Sequence, residues 1–225
     1  MNKKKSLLVV VALVLVCVMS IMGTVAFMKH NTGAVTNTFI ASGGGSLASD
    51  LTLDESKATQ AANGSYTLDT TQRVTANTYK VMPGMEIDKD PTITIEGKTE
   101  APAYLFFEVV NPLDTSVYTY SFTGWTELTG VTGYMGGKVY VYGDVNGTII
   151  TDSNVATNYK ILTGDKITVA DKVEDLKLSA DDANPTTMTF YAYLAQANVG
   201  ADNDTPASVY TAVFPANAGL TPSNP

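Results

Sequence analysis

One cysteine, one histidine and one tryptophan occur in 225 residues. A single thiol cannot close a disulfide within the chain, so stability must come from burial of a core and from strand pairing. A single imidazole, His30, cannot supply the His-Glu-x-x-His of a zinc protease, and no second one exists to serve another catalytic arrangement. Basic side chains are also few: 14 Lys and Arg stand against 22 Asp and Glu, a formal charge of −8. That balance argues against nucleic acid or an anionic membrane surface as a partner. No internal repeat is visible.

What is present begins with an export address. Met1-Asn2-Lys3-Lys4-Lys5 is followed by an unbroken apolar run over residues 7–19, and then by the short residues Gly23, Thr24, Val25 and Ala26 before Phe27. A basic start, an apolar middle and a small-x-small site mark a secretory signal peptide. Residues 1–26 are expected to be removed between Ala26 and Phe27, taking the only cysteine, Cys17, with them. Two other readings are weighed. The apolar run is also long enough for a retained span, since about 20 residues cross a bilayer. Lipid attachment at Cys17 is disfavoured by the branched Val16 before it. Cleavage leaves 199 residues, enough for one domain with a sizeable core. Three of the 14 basic side chains leave with the leader, so 11 remain against 22 acidic ones, a formal charge of −11. The end, Leu220-Thr221-Pro222-Ser223-Asn224-Pro225, has neither an apolar tail nor basic residues, so an anchor there is not expected.

The body reads as β. Alternation with period two recurs between clusters of Gly, Asn, Asp and Pro. Ile93 and Ile95 share one face, as do Leu105, Phe107 and Val109. Val139 and Val141 oppose Tyr140 and Tyr142, and Met188, Phe190, Ala192 and Leu194 form an inward stripe. Tyr118, Tyr120 and Phe122 make another. Pro83-Gly84 suits a type II turn, and Asn146-Gly147 a tight reversal. The polar run through Gln60, Asn63 and Thr70 reads as a long exposed loop or hairpin. Pro91 belongs at a strand start or edge. Lys89, between Asp88 and Asp90, reads as part of a solvated charge cluster. Near the end, Thr205 is placed to cap a short helix with Pro206 at its first position, Val209 and Val213 inward, and Pro215 beyond. The expected fold is mainly β: a single jelly-roll-like antiparallel β-sandwich over 47–225 with a short C-terminal helix. Residues 27–46 precede it as an arm and a Gly-rich hinge at 42–46.

Four segments together resemble the TasA/CalY/camelysin family of exported proteins. They are Gly23-Thr24-Val25-Ala26-Phe27; Val35-Thr36-Asn37-Thr38-Phe39; Val81-Met82-Pro83-Gly84 with Lys89-Asp90-Pro91-Thr92-Ile93-Thr94; and Phe190-Tyr191-Ala192-Tyr193-Leu194-Ala195-Gln196-Ala197 followed by the Pro-Ala helix. They bracket nearly the whole exported chain. Two departures stand out: Met28-Lys29-His30 follows Phe27 where the family often has Asp, and the helix carries Val209-Tyr210 in place of Ala-Trp. The resemblance implies a secreted subunit of an extracellular fibre or biofilm matrix, with a signal removed by a dedicated peptidase. The freed arm, with Val35, Asn37, Phe39 and Ile40 in its β-prone stretch, can pair with its own sheet or be added to the sheet of the next copy; the resemblance implies the second, a head-to-tail assembly. Fifteen residues, 27–41, at about 3.3 Å each reach roughly 50 Å, enough to bridge to a neighbour.

Competing functions are weighed against this one. Camelysin-like relatives carry a metalloprotease description, but no catalytic set is found here and the chain is read as no enzyme. His30 is read as an exposed residue of the arm. Asp171, Glu174, Asp175, Asp181 and Asp182 offer oxygen ligands for calcium without the order of a dedicated loop, and zinc would have one imidazole at most. No cofactor is expected. A monomeric adhesin is the third reading, with Tyr140, Tyr142, Tyr191 and Tyr193, taken to lie opposite the core, as stripes for saccharide or lateral contact. Trp125 is read as a half-buried core residue. The expected partners are further copies of the chain, with other matrix proteins or polysaccharide beside them, and the expected location is the extracellular matrix or cell surface.

Overall fold

The computed structural model describes residues 29–31, 50–97, 99, 101–153, 155–156, 158–171, 187–198 and 204–216. These form twelve strands, a 3-10 turn and one α-helix. Strands β1 (Lys29–Asn31), β12 (Thr189–Gln196), β6 (Ala103–Val110), β9 (Lys138–Tyr142) and β8 (Trp125–Thr132) lie in that order in a five-stranded sheet. A four-stranded sheet runs β10 (Asn158–Lys160), β5 (Thr92–Glu96), β2 (Asp50–Gln60) and β3 (Tyr66–Val74). A small third sheet runs β4 (Glu86–Asp88), β11 (Lys166–Val169) and β7 (Tyr118–Thr119). Every ladder is antiparallel. The helix α1 (Pro206–Val213) follows β12.

The two larger sheets share one core. Leu105, Phe107, Val109, Phe190, Ala192 and Leu194 of the first pack with Leu51, Leu53, Ile93, Ile95 and Tyr159 of the second. The alternation in β6 and β12 therefore points where the sequence placed it, and the protein is a mainly β, two-layer antiparallel structure with a short C-terminal helix. These ladders do not by themselves give the jelly-roll order.

The first sheet is covered on its other face too. Tyr104, Phe106, Val139, Val141, Tyr191, Tyr193 and Ala195 meet Val209, Tyr210 and Phe214 of the helix and its cap in a second core. This corrects the expectation for the tyrosines. Tyr191 and Tyr193 are 8 % and 1 % exposed under the helix, and Tyr140 and Tyr142 pack against the inter-sheet core. Period-two alternation identifies two faces; it does not say that both are covered. Each residue of β6 is buried as a result. Trp125 is buried as a core residue, its ring edge-on to Phe107 and its Nε1–H donating to the Lys160 carbonyl at 2.8 Å.

Local signals are met closely. Met82 O accepts from Met85 N at 3.2 Å across Pro83-Gly84, and Gly84 has φ +70°, the left-handed value a type II turn needs at its third residue. The polar run is a hairpin: Gln60 ends β2, residues 61–65 form the turn, and Thr70 lies in β3. Thr205 Oγ1 accepts from Ser208 N at the start of α1, Pro206 is its first residue, and Val209 is fully buried. Tyr118, Tyr120 and Phe122 pack around Ile87, Ile167 and Val169 of the third sheet and Leu162 beside it.

Candidate strand-accepting edge

Unpaired strand edges recruit further strands, so proteins blunt them with bulges, brevity or charge. The edges here differ in that respect. β3 pairs with β2 from Val74 to Arg73 and again from Asp69 to Tyr66, but residues 70–72 stand out of the ladder between Ser56 and Lys57. That loop is closed on itself: Asp69 Oδ1 accepts from Thr71 N and Oγ1 at 3.0 and 2.6 Å, and Asp69 Oδ2 from Gln72 Nε2 at 2.9 Å. These bonds hold the Asp69 carboxyl below its ordinary value. β8 loses register between Glu127 and Thr132 in the same way. β10, β4 and β7 have three, three and two residues. β12, which lies just inside the three-residue outer strand β1, is by contrast long and regular. All eight of its residues pair with β6 without a shift, from Thr189↔Val110 to Gln196↔Ala103.

On its other side β12 receives β1. Lys29, His30 and Asn31 pair antiparallel with Ala195, Leu194 and Tyr193. Of the N-terminal arm, the described residues are the polar Lys-His-Asn triplet, and it pairs with the sheet. The expected contacts Val35, Asn37, Phe39 and Ile40, and the cleavage pair Ala26 and Phe27, lie outside the described residues, as do the hinge 42–46 and the acidic Glu174, Asp175, Asp181 and Asp182. Asp171 is described, and exposed.

β12 is rigidly backed. Opposite Tyr191 on β6 sits Glu108, 0 % exposed. Its carboxylate accepts from Met135 N at 3.0 Å, Gly137 N at 2.6 Å, the Tyr193 hydroxyl at 2.7 Å and the Tyr210 hydroxyl at 3.3 Å. Tyr134 N in turn donates to the Tyr210 oxygen at 3.1 Å. All these donors are neutral, and together they satisfy a buried charge by dipoles. Glu108 so joins β6, β12, α1 and the β8–β9 connection at one point. Gly133 is required beside it, because a Cβ there would lie 2.1 Å from Oε1. Burial foremost pushes the Tyr193 and Tyr210 hydroxyls up, aided by Tyr210 and Glu108 for Tyr193 and by Glu108 for Tyr210, so both stay donors. Burial and then Glu127 push Tyr140 up to about 12.

A second polar group lies under the four-stranded sheet, and it corrects the solvated reading of Lys89 and Asp90. Asp90 is 4 % exposed, and Lys89 makes an ion pair with the buried Glu55. Asp90 accepts from Ser56 N and Oγ, both at 2.7 Å, and pairs with Arg73 at 3.0 Å and Lys160 at 3.6 Å. Burial would raise its carboxyl, but the Ser56 hydrogen bonds and the two cations outweigh that and hold it below the ordinary value. Pro91 then precedes β5, where its missing N–H costs nothing and its carbonyl accepts from Ile161 N. Among the described residues, no group of three or more His, Cys, Asp or Glu is placed to hold a metal ion, and no helix is long and apolar enough to cross a membrane.

Compared with protein families, curated proteins and solved structures, the chain matches none.

Proposed function

We propose that this chain is an exported structural subunit of an extracellular fibre or biofilm matrix, assembled by strand addition at the outer edge of β12. The observation that carries the reading is the pairing of the arm residues 29–31 with β12, a long and unbulged strand whose outer side meets, among the described residues, only the three-residue β1. A strand added there extends a ladder whose far side is already complete, against a backbone fixed by two cores and by Glu108. Main-chain hydrogen bonds then supply the affinity. An arm donated by one copy to the next is a head-to-tail contact and gives an open filament. The resemblance to TasA-like exported proteins and the export address point to the same role, with cleavage before Phe27 freeing the arm from the membrane. The net charge keeps free subunits apart until that contact forms.

Electron microscopy of the chain beginning at Phe27, at rising concentration and lowered pH, tests this. Regular filaments are expected, and a chain lacking 27–41 should remain a folded monomer. Filaments from the shortened chain would overturn strand donation.

A further inference from the structure

Leu51, Leu53 and Glu55 share one face of β2, and all three are buried, at 1 %, 3 % and 1 % exposure. The third position of an inward apolar row thus holds a carboxylate. Its Oε2 meets Lys89 Nζ at 2.5 Å, and the Lys89 side chain is only 12 % exposed. The ammonium sits 5.4 Å from the centroid of the Tyr79 ring. One oxygen of this group, the buried Glu55 Oε1, lacks a partner. A buried ion pair is favoured only where its remaining lone pairs are hydrogen-bonded, and here one is not.

We infer that Lys89 and Glu55 are the two ends of an intramolecular isopeptide bond, which ties β2 to the segment entering β5. The proton passes from Nζ to the carboxylate across the 2.5 Å contact, leaving an amine and a carboxylic acid. A dry site tolerates that neutral pair better than isolated charges. The nitrogen lone pair then attacks Cδ. One C–N bond forms and one C–O bond breaks. The departing oxygen leaves as water, carrying the acid proton and one amine proton. Nothing is oxidised or reduced, and no co-reactant is consumed. Burial first, then Glu55 and Asp90, push up the phenol of Tyr79, whose ring lies beside the ammonium. One carboxyl oxygen remains afterwards, as a neutral amide carbonyl, so no carboxylate is left buried with an unpartnered oxygen. Asp90 is held by Ser56, Arg73 and Lys160 and stays outside the reaction. The bond would give a chain without a disulfide its own covalent cross-link, independent of whether fibres form.

Intact mass of the folded chain beginning at Phe27 decides this. The expected mass is lower than the residue sum by one water. Trypsin should leave Lys89 uncut and yield a branched peptide joining the segment that ends at Lys57 to residues 81–98. Lys89→Arg keeps a cation at the site and should restore the full mass. A full mass for the unaltered chain, or a water lost anywhere other than between residues 55 and 89, overturns the inference.

Discussion

β3 ends its sheet, and β12 is bordered on its outer side, among the described residues, only by the three-residue β1, yet these two long strands meet their inner neighbours in opposite ways. β12 keeps perfect register with β6 over eight residues, and β3 throws out residues 70–72 halfway along β2. Their surroundings differ accordingly. β12 is buried on both faces and backed by the neutral donors around Glu108. β3 is mostly exposed, and Arg73, the chain's single arginine, ties it to Asp54 and Asp90. The lesson concerns edges: one is shaped to extend the sheet and the other to end it, and the difference lies in backbone regularity more than in hydrophobicity.

The largest expected effect comes from undoing that difference. Removing Thr70, Thr71 and Gln72 would let β3 run flat against β2 and present a second regular edge. The fold should persist, but self-association should rise sharply, even in a chain lacking 27–41. Light scattering against concentration reads this, and an unchanged monomer would mean that bulging is not what blunts β3.

Glu108→Ala attacks the β12 side. Two backbone N–H groups and two phenols would lose their acceptor inside a core, at a cost of about 3–5 kcal/mol. Denaturant unfolding should show it, with loss of filaments at concentrations where the parent chain forms them.

Asp90→Asn attacks the β3 side and should cost about 2–3 kcal/mol by the same measurement. It also carries a pH signature. The folded Asp90 carboxyl lies below its unfolded value near about 3.9. The stability it contributes is therefore complete above that unfolded value and is lost as pH falls through the lower, folded one. The parent chain should lose this part of its stability in acid, and the Asn variant should not. Thr205→Ala, which removes the cap of α1, is the mildest change, at about 1 kcal/mol.

Much of the inter-sheet core was legible, because period two survives in β5, β6 and β12, where one stripe is wholly apolar. The Pro83-Gly84 turn and the capped helix were legible for the same kind of reason: local backbone chemistry fixes them. The burial of Tyr191 and Tyr193 was not, since a tyrosine on the second face of a strand looks alike whether a helix covers it or water does. Glu55 and Glu108 were missed because a lone carboxylate in a strand ordinarily marks a solvent face, and only distant donors, Lys89 in one case and the 135–137 backbone in the other, make burial tolerable. The bulge at 70–72 is invisible in Asp-Thr-Thr-Gln, a string that fits a regular polar strand equally well. Lys29-His30-Asn31 has no marked strand propensity, so its place on β12 comes from the edge it meets and not from its own composition.

The central claim is that an arm from one copy occupies β12 of the next. Directly opposed antiparallel residues lie about 4.5–5.5 Å apart at Cα, within disulfide range, and a chain beginning at Phe27 has no cysteine of its own. Chains carrying only Lys29→Cys can therefore be mixed with chains carrying only Ala195→Cys, the registered partners, and oxidised after filaments form. The account predicts disulfide-linked pairs of the two variants in filaments and none in dilute monomer; filaments whose thiols remain free would contradict it.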